Sequence, residues 1–404
     1  MIFEYDDLKK EIIDSSSKFA QEKLKPLRSL YDEKEDFPKE LLKDFSEMGF
    51  FGISIPEKYG GLNGGITGLC LAIEEMSKID AGLSLPVATS ALGAIPIMLY
   101  ADEKQRDKWL SKVACGEKLA AFALSEPEAG SDATAQKTTA VKNGDYYILN
   151  GVKHFCSSGD ISDLYVVFAS TNPSRGARGI SAFVVEKGTE GFKIGKKEKK
   201  LGIKANATTE LYFENCKVPS ENILFSEGFG LFVLQETFDY SRPGVAAQAI
   251  GIAEGALAET IPYLKSRKQF GQSVSSFQAI GHILAELASK TEAAKALVYS
   301  LSSAMDKEFL SAFEAACKNG TVLREELKKI SKKRWTKHSA MAKYLASETA
   351  FEVAQKCVNL CGGIGYMRDF PVEKFMRDAK VTEIYEGTNH IQKNEIAAQL
   401  IKEY

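Results

Sequence analysis

The sequence predicts a mainly helical chain built around a central β-domain. It reads as an N-terminal helical domain, a small antiparallel β-barrel or sandwich, and a C-terminal four-helix bundle. Three observations predict this. Apolar residues fall at helical spacing through the first third of the 404 residues. The period then switches to short β-branched and aromatic runs separated by Gly and Asn. Long Ala- and Leu-rich helical stretches take over from about residue 226. That order lacks the strand–helix alternation of a doubly wound nucleotide fold. The chain therefore divides into residues 1–119, 120–225 and 226–404.

In the first part, Leu8, Ile12, Phe19 and Leu24 form a loose apolar stripe, and residues 37–48 a second short helix. Residues 50–65 are rich in Gly and Pro and read as a loop. Helical patterns return at 66–79, 84–100 and 103–114. Residues 81–101 carry no charge, and a membrane-spanning helix needs about 20 apolar residues. Pro86, Thr89, Ser90, Gly93 and Pro96 interrupt them. The expectation is a buried helix or the wall of an apolar pocket, not a membrane span.

In the middle part, the run 146–149 stops at Asn150-Gly151, which reads as a hairpin turn. Further strands are expected at 164–168, 180–185 and 208–213. In the last part, helices are expected at 227–265, 275–304, 336–360 and 388–402. Residues 306–338 are the most charge-rich stretch and contain the run Lys332-Lys333-Arg334. Leu310, Phe313, Leu323, Leu327 and Ile330 offer an inner stripe for a helical pair over 305–337, with Gly320 as its turn. This pair reads as a solvated helical excursion, with a docking surface for an electron-transfer partner or another subunit as the alternative.

Composition narrows function by exclusion. With 44% hydrophobic and 26% charged residues, the chain is an ordinary globular protein. A net charge of −2 leaves no global field to hold nucleic acid or an anionic bilayer. Seven scattered cysteines make a disulfide framework improbable, which points to the cytoplasm. The acidic N-terminus shows no signal-peptide pattern. The four histidines form no zinc-binding spacing, so no metal is expected. No glycine-rich dinucleotide fingerprint follows a strand, and no phosphate-binding P-loop occurs.

Three segments carry chemistry. Residues 121–132 (AFALSEPEAGSD) form a turn rich in backbone donors and hydroxyls, and Gly130 permits close approach of a ligand. Residues 153–159 (KHFCSSG) set an aromatic ring beside hydroxyls. Residues 381–392 (VTEIYEGTNHIQ) place one carboxylate, Glu386, before Gly387 and Thr388. Lone glutamates are usually solvated, but three such segments in this order are far more specific than one. Together they resemble the acyl-CoA dehydrogenases, over essentially the whole chain.

That resemblance implies a bound FAD and the α,β-dehydrogenation of an acyl-CoA thioester. Glu386 would be the base that takes the α-proton, while the β-hydrogen leaves as hydride to flavin N5. The base needs a dry pocket, because desolvation raises its pKa toward the working range. The thioester oxygen would be held by the Glu386 amide and a flavin hydroxyl, as in an oxyanion hole. Phe122, Leu124, Ser125, Phe155 and Ser157 would line the flavin ring. Phe155 and Ser157 stand where the family usually has Trp and Thr. Gly130, Ser131 and Thr388 would lie near the pyrophosphate, and His390 stands where Gln or Glu is common.

A neighbouring subunit would complete the FAD site through Arg267, Phe270, Gln278, Gly362 and Gly363. There Arg267 would fork onto the pyrophosphate. Asn359 replaces a usual Gln. Ser131, Asp239, Ser241, Arg242, Val245, Tyr385 and Gly387 would line the CoA and acyl path. Ser241 occupies the position from which some relatives supply their base, leaving Glu386 as sole base. The uncharged 81–101 stretch offers no partner for a distal carboxylate. A short- or medium-chain, branched or cyclic monocarboxylic acyl group is therefore expected.

Electrons would pass to an electron-transfer flavoprotein, and the assembly would be a homotetramer. Between Arg267 and Gly363 the chain runs about 25 residues longer than the family pattern, with the excess near 305–337. The same site would serve an enoyl-CoA reductase running the reverse reaction. An acyl-CoA oxidase, or a flavin-free homologue acting as an interaction module, are the other readings.

Overall fold

The computed structural model describes residues 3–331 and 334–404. Its first part contains α1 (Asp7–Phe19), α2 (Arg28–Lys34), α3 (Glu40–Glu47), α4 (Gly65–Ser77), α5 (Leu85–Tyr100) and α6 (Glu103–Ala114). Local chemistry sets several of these boundaries. Asp6 accepts the Lys9 amide at 2.9 Å and opens α1. Asp102 and Gln105 form a reciprocal capping box on α6. Helix α5 is apolar around its circumference and almost wholly buried, as the uncharged stretch implied. Among the described residues, no helix is long and apolar enough to cross a membrane.

A curled seven-stranded sheet follows. It comprises β1 (Ala120–Ala123), β2 (Thr139–Asn143), β3 (Tyr146–Ser157), β4 (Leu164–Ser170), β5 (Ile180–Glu186), β6 (Phe192–Lys197) and β7 (Thr208–Pro219). The strand order is β1-β4-β2-β3-β7-β6, with β5 on the other flank of β4. Pairing is antiparallel except where β1 and one residue of β2 run parallel to β4. Alternation along β4 sends Leu164, Val166 and Phe168 into the core shared with the helices. Tyr165, Val167 and Ala169 enter a second core inside the sheet.

The hairpin expected at Asn150-Gly151 is corrected: β3 runs straight through it with a register shift. The β2–β3 turn lies earlier, at Gly144-Asp145 between the paired Asn143 and Tyr146, where Gly144 has φ 59°. Gly151 serves a close approach instead. A Cβ there would lie 2.4 Å from Thr138 Oγ1.

The C-terminal part holds α7 (Gly230–Ser266), a two-stranded turn of β8 (Lys268–Gln269) and β9 (Gln272–Ser273), α8 (Gln278–Asn319), α9 (Leu323–Ile330), α10 (Thr336–Cys361), α11 (Val372–Thr382) and α12 (Asn389–Glu403). Helix α7 packs along α10 and also meets α4, α5 and α11, joining the two helical parts. Helix α11 adds to the four expected helices. Lys374 on α11 is buried between Asp80 at 2.9 Å and Asp378 at 2.5 Å.

The helical pair expected over 305–337, with its turn at Gly320 and its apolar inner stripe, is present, and only its reading as a solvated excursion is corrected. Helix α8 continues unbroken to Asn319, and Gly320 ends it at φ 65°. Phe309, Phe313, Leu323 and Leu327 are buried, while Ile330 is 48% exposed. Phe313 meets Tyr59 edge-on at 6.1 Å. The buried Arg106 guanidinium donates from both terminal nitrogens to the Thr321 carbonyl at 2.9 Å. Many of the charges lie on the outer face, and the apolar stripe faces in. Lys332 and Lys333 of the basic run lie outside the described residues.

Candidate active site

A cavity of about 780 Å³ opens where α4, α5, the end of β3, α7 and the loop before α12 converge. Leu69 and Ile73 from α4 and Leu85, Ala88, Leu92 and Ile95 from α5 give it an apolar wall. Phe122, Leu124, Ser125, Gly130, Ser131, Phe155 and Ser157 line the sheet side. Ser241, Arg242, Val245, Tyr385, Glu386, Gly387 and Thr388 line the helical side. All three motif segments therefore meet in one space.

The loop that carries Glu386 is bent and cross-tied. Glu386 has φ 51° and Gly387 φ 90°, both left-handed. At φ 90° any side chain would be strained, and a Cβ on Gly387 would lie 2.7 Å from Gln392 Nε2, so the position favours glycine. Gln392 donates to the carbonyls of Glu386 at 3.1 Å and Gly387 at 2.8 Å. Arg242 Nε approaches the Glu386 carbonyl at 3.4 Å. Ser241 Oγ donates to the Glu386 carboxylate at 2.5 Å.

Glu386 keeps partial exposure, and it lines the cavity. Burial pushes its carboxyl above the usual range, against the opposing pull of Ser241, Arg242 and Lys343. Tyr385 donates its hydroxyl to Gln248 across the inner wall, and Gln248 in turn donates to the Ala81 carbonyl at 3.3 Å.

The first two motifs are tied together by a buried lysine. Lys153 Nζ donates to the Leu124 carbonyl at 3.0 Å, to Glu126 at 2.7 Å and to Gln136 at 3.0 Å. Burial pushes its ammonium down to about 8, with Glu126 opposing. His154 stacks on Phe155, ring centroids 3.9 Å apart, and approaches Glu198 at 3.2 Å and Glu210 at 3.5 Å.

Other expected residues lie outside the cavity. Asp239 is buried beneath it, accepting from Arg334 and Thr336 at 3.0 Å each. Those two residues line the cavity in its stead. His390 is exposed at the start of α12. Arg267, Phe270, Gln278, Asn359, Gly362 and Gly363 are exposed and not among the cavity residues. Phe270 is 93% exposed.

Sequence reasoning missed Gln248, Arg334, Thr336, Lys343 and Gln392. Lys343 had a legible signal, since it stands among Ala340, Ala342, Ala346 and Ala350 on an apolar stripe. A lysine there must meet acceptors inside the protein.

The helical–sheet–helical chain brings Glu386 to a largely apolar cavity between its parts, and comparison with known proteins identifies the family. The acyl-CoA dehydrogenase N-terminal, middle and C-terminal domain models match residues 6–117, 121–216 and 228–401. The chain belongs to the acyl-CoA dehydrogenase family and is an enzyme of that family.

The short-chain-specific acyl-CoA dehydrogenase of Clostridium acetobutylicum is 42% identical over 386 residues, 95% of each chain. Subunit CarC of the caffeyl-CoA reductase–Etf complex of Acetobacterium woodii is 41% identical over 372 residues, 92% of each chain. The solved butyryl-CoA dehydrogenase of Megasphaera elsdenii superposes with a TM-score of 0.90 at 39% identity, covering 99% of this chain and 100% of that one.

Members of the family are FAD-dependent flavoproteins. The cavity fits that group. Phe155 sits in left-handed backbone at φ 58° and is 60% exposed at the cavity, a flat surface for a second ring. Hydroxyls of Ser125, Ser131, Thr134 and Ser157 line the same side. No atom lies within 4 Å of a Cβ placed on Gly130, which leaves room for a ligand there.

Proposed function

We propose that this chain dehydrogenates a short-chain acyl-CoA thioester between Cα and Cβ, with Glu386 as the base. The observation that carries this is the Glu386 carboxyl, raised by burial and facing the cavity from a cross-tied loop. Ser241 holds the carboxylate, and the Glu386 amide is the donor assigned to the thioester oxygen. Phe122, Leu124, Ser125, Phe155 and Ser157 are the residues assigned to the flavin ring, with Gly130, Ser131 and Thr388 near its diphosphate. FAD, when bound, supplies the acceptor for the β-hydrogen leaving as hydride.

The acyl group is assigned to the apolar wall of α4 and α5, which carries no cation among its lining residues. That favours a monocarboxylic chain. The name of the Clostridium relative favours a short one. The name of the Acetobacterium relative supports an electron-transferring flavoprotein as partner. It also supports a second reading, reduction of an enoyl-CoA by the same site. The exposed Arg267, Phe270, Gln278, Asn359, Gly362 and Gly363 are assigned to the FAD of a neighbouring copy in a homotetramer, and sedimentation tests this.

The deciding experiment is anaerobic. The flavin spectrum of the purified protein is followed while acyl-CoA thioesters of increasing length are added, with Glu386→Gln as control. Bleaching by butyryl-CoA in the wild type alone is the expected result. Bound flavin that only a reduced electron-transferring flavoprotein with an enoyl-CoA turns over would favour the reductase direction. A protein without flavin would overturn both readings.

A further inference from the structure

Helix α10 carries a charge that the proposed chemistry leaves unused. Lys343 is fully buried, on a helix face otherwise made of Ala340, Ala342, Ala346, Ala350 and Ser347. A buried ammonium is costly unless its protons are taken up. Lys343 Nζ donates to the Gly387 carbonyl at 2.9 Å and to Asn389 Oδ1 at 3.0 Å. Both acceptors belong to the turn that carries Glu386. Ser347, one turn along α10, donates to the same Asn389 oxygen at 3.1 Å.

The Glu386 turn is therefore tied from three helices. Arg242 on α7 and Gln392 on α12 reach the Glu386 carbonyl. Gln392 and Lys343 share the Gly387 carbonyl. Non-glycine residues in left-handed backbone are held there only when their surroundings over-determine them.

We infer that Lys343 is a positioning residue for Glu386, tying the Gly387–Asn389 turn to α10 so that the carboxylate keeps its aim into the cavity. The inference rests on Glu386 being the base. Burial pushes the Lys343 ammonium down to about 7, while Glu386 opposes that fall and Arg242 adds to it. A neutral amine can still donate to either acceptor, so the tie does not depend on the charge.

The test compares Lys343→Met, Lys343→Gln and Glu386→Gln in the flavin-loaded protein. The readouts are anaerobic flavin reduction by butyryl-CoA, the isotope effect with α-deuterated butyryl-CoA, and thioester affinity by spectral titration. A displaced base loses about 100-fold in rate. Lys343→Met should lose reduction by that order, with affinity within about threefold of wild type. Its isotope effect should rise, because proton removal then limits the step. Lys343→Gln keeps one donor and should recover about tenfold of the loss.

Reduction within about threefold of wild type in both lysine variants would overturn the inference. So would a slower rate with an unchanged isotope effect and a matching loss of affinity, which is the pattern of a packing role. If Lys343→Met does not fold, Lys343→Gln decides by the same criteria. Glu386→Gln separates the two readings. Wild-type reduction in that variant removes the base assignment itself, whereas its loss alongside unaffected lysine variants removes only the role of Lys343.

Discussion

Two turns of this molecule have the same backbone and opposite surroundings. Glu386-Gly387 has φ 51° and 90°; Phe270-Gly271 has φ 53° and 80°. The first is clamped by side chains from α7, α10 and α12. The second presents Phe270 almost fully to solvent, and a Cβ on Gly271 would meet nothing within 4 Å. A left-handed non-glycine residue costs about 1–2 kcal/mol. At Glu386 the chain itself offsets that strain, and the result is an aimed carboxylate. At Phe270 the tight β8–β9 hairpin accommodates it, since a two-residue turn of this kind takes positive φ at both central residues, and the ring is left exposed.

The comparison can be broken at either turn. Glu386→Gln keeps the shape of the first turn and removes its basicity, and flavin reduction by butyryl-CoA should fall about 1,000-fold. A loss below about tenfold would make the cross-tied turn merely structural. Gly387→Ala adds a clash with Gln392 to the backbone strain. It should cost about 2–3 kcal/mol in chemical denaturation. Gly271→Ala adds strain alone and should cost about 1 kcal/mol. Equal costs would mean that the clamp contributes nothing.

The pH dependence sharpens the first turn. As the proposed base, Glu386 would act only when ionised, and burial pushes its carboxyl above the ordinary 4.5. Activity should therefore be present at high pH and lost as pH falls, with a kcat/KM inflection above 4.5. Ser241→Ala removes a hydrogen bond that favours the ionised form, so the inflection should move higher still. A downward move would contradict the geometry.

The smallest effect belongs to the second turn. Phe270→Ala should change the stability of an isolated chain by no more than about 0.5 kcal/mol, as exposed positions do. A larger loss, with weakened self-association in sedimentation, would establish that a second copy covers this turn.

The site was legible where chemistry follows chain order and obscure where it depends on distant elements. Glu386, Ser125 and Phe155 could be picked out because each sits in a short run of distinctive residue types. Gln392 lies inside the third run, but its role depends on the turn folding back over it. Gln248 sits on a helix that reads only as a helix, and the apolar stripe around Lys343 signals that it is buried but not what it meets, since the partners of both are distant in sequence. The same limit governs the fold. Helix α5 was marked by its missing charges. Asn150-Gly151 reads as a hairpin, but the pairing of β3 with β7 runs through it, and long-range pairing, not local propensity, placed the turn before Tyr146 instead. Charge density made 305–337 look solvated because composition does not record which face a charge occupies.

The described residues of 305–337 form an arm packed against α7, and that packing governs how the protein opens. Glu236 and Asp239 are buried on α7, immediately before Ser241 and Arg242. Arg324 meets Glu236 at 2.6 Å, Arg334 meets Asp239 at 3.0 Å, and Tyr100 of α5 also bonds Glu236. Peeling the arm away would break both ion pairs, and each carboxylate that stayed buried without its cation would cost about 3–5 kcal/mol. The arm therefore cannot fray like an ordinary surface hairpin. Its amides should exchange with solvent in step with those of α7, making the arm and α7 one cooperative unfolding unit.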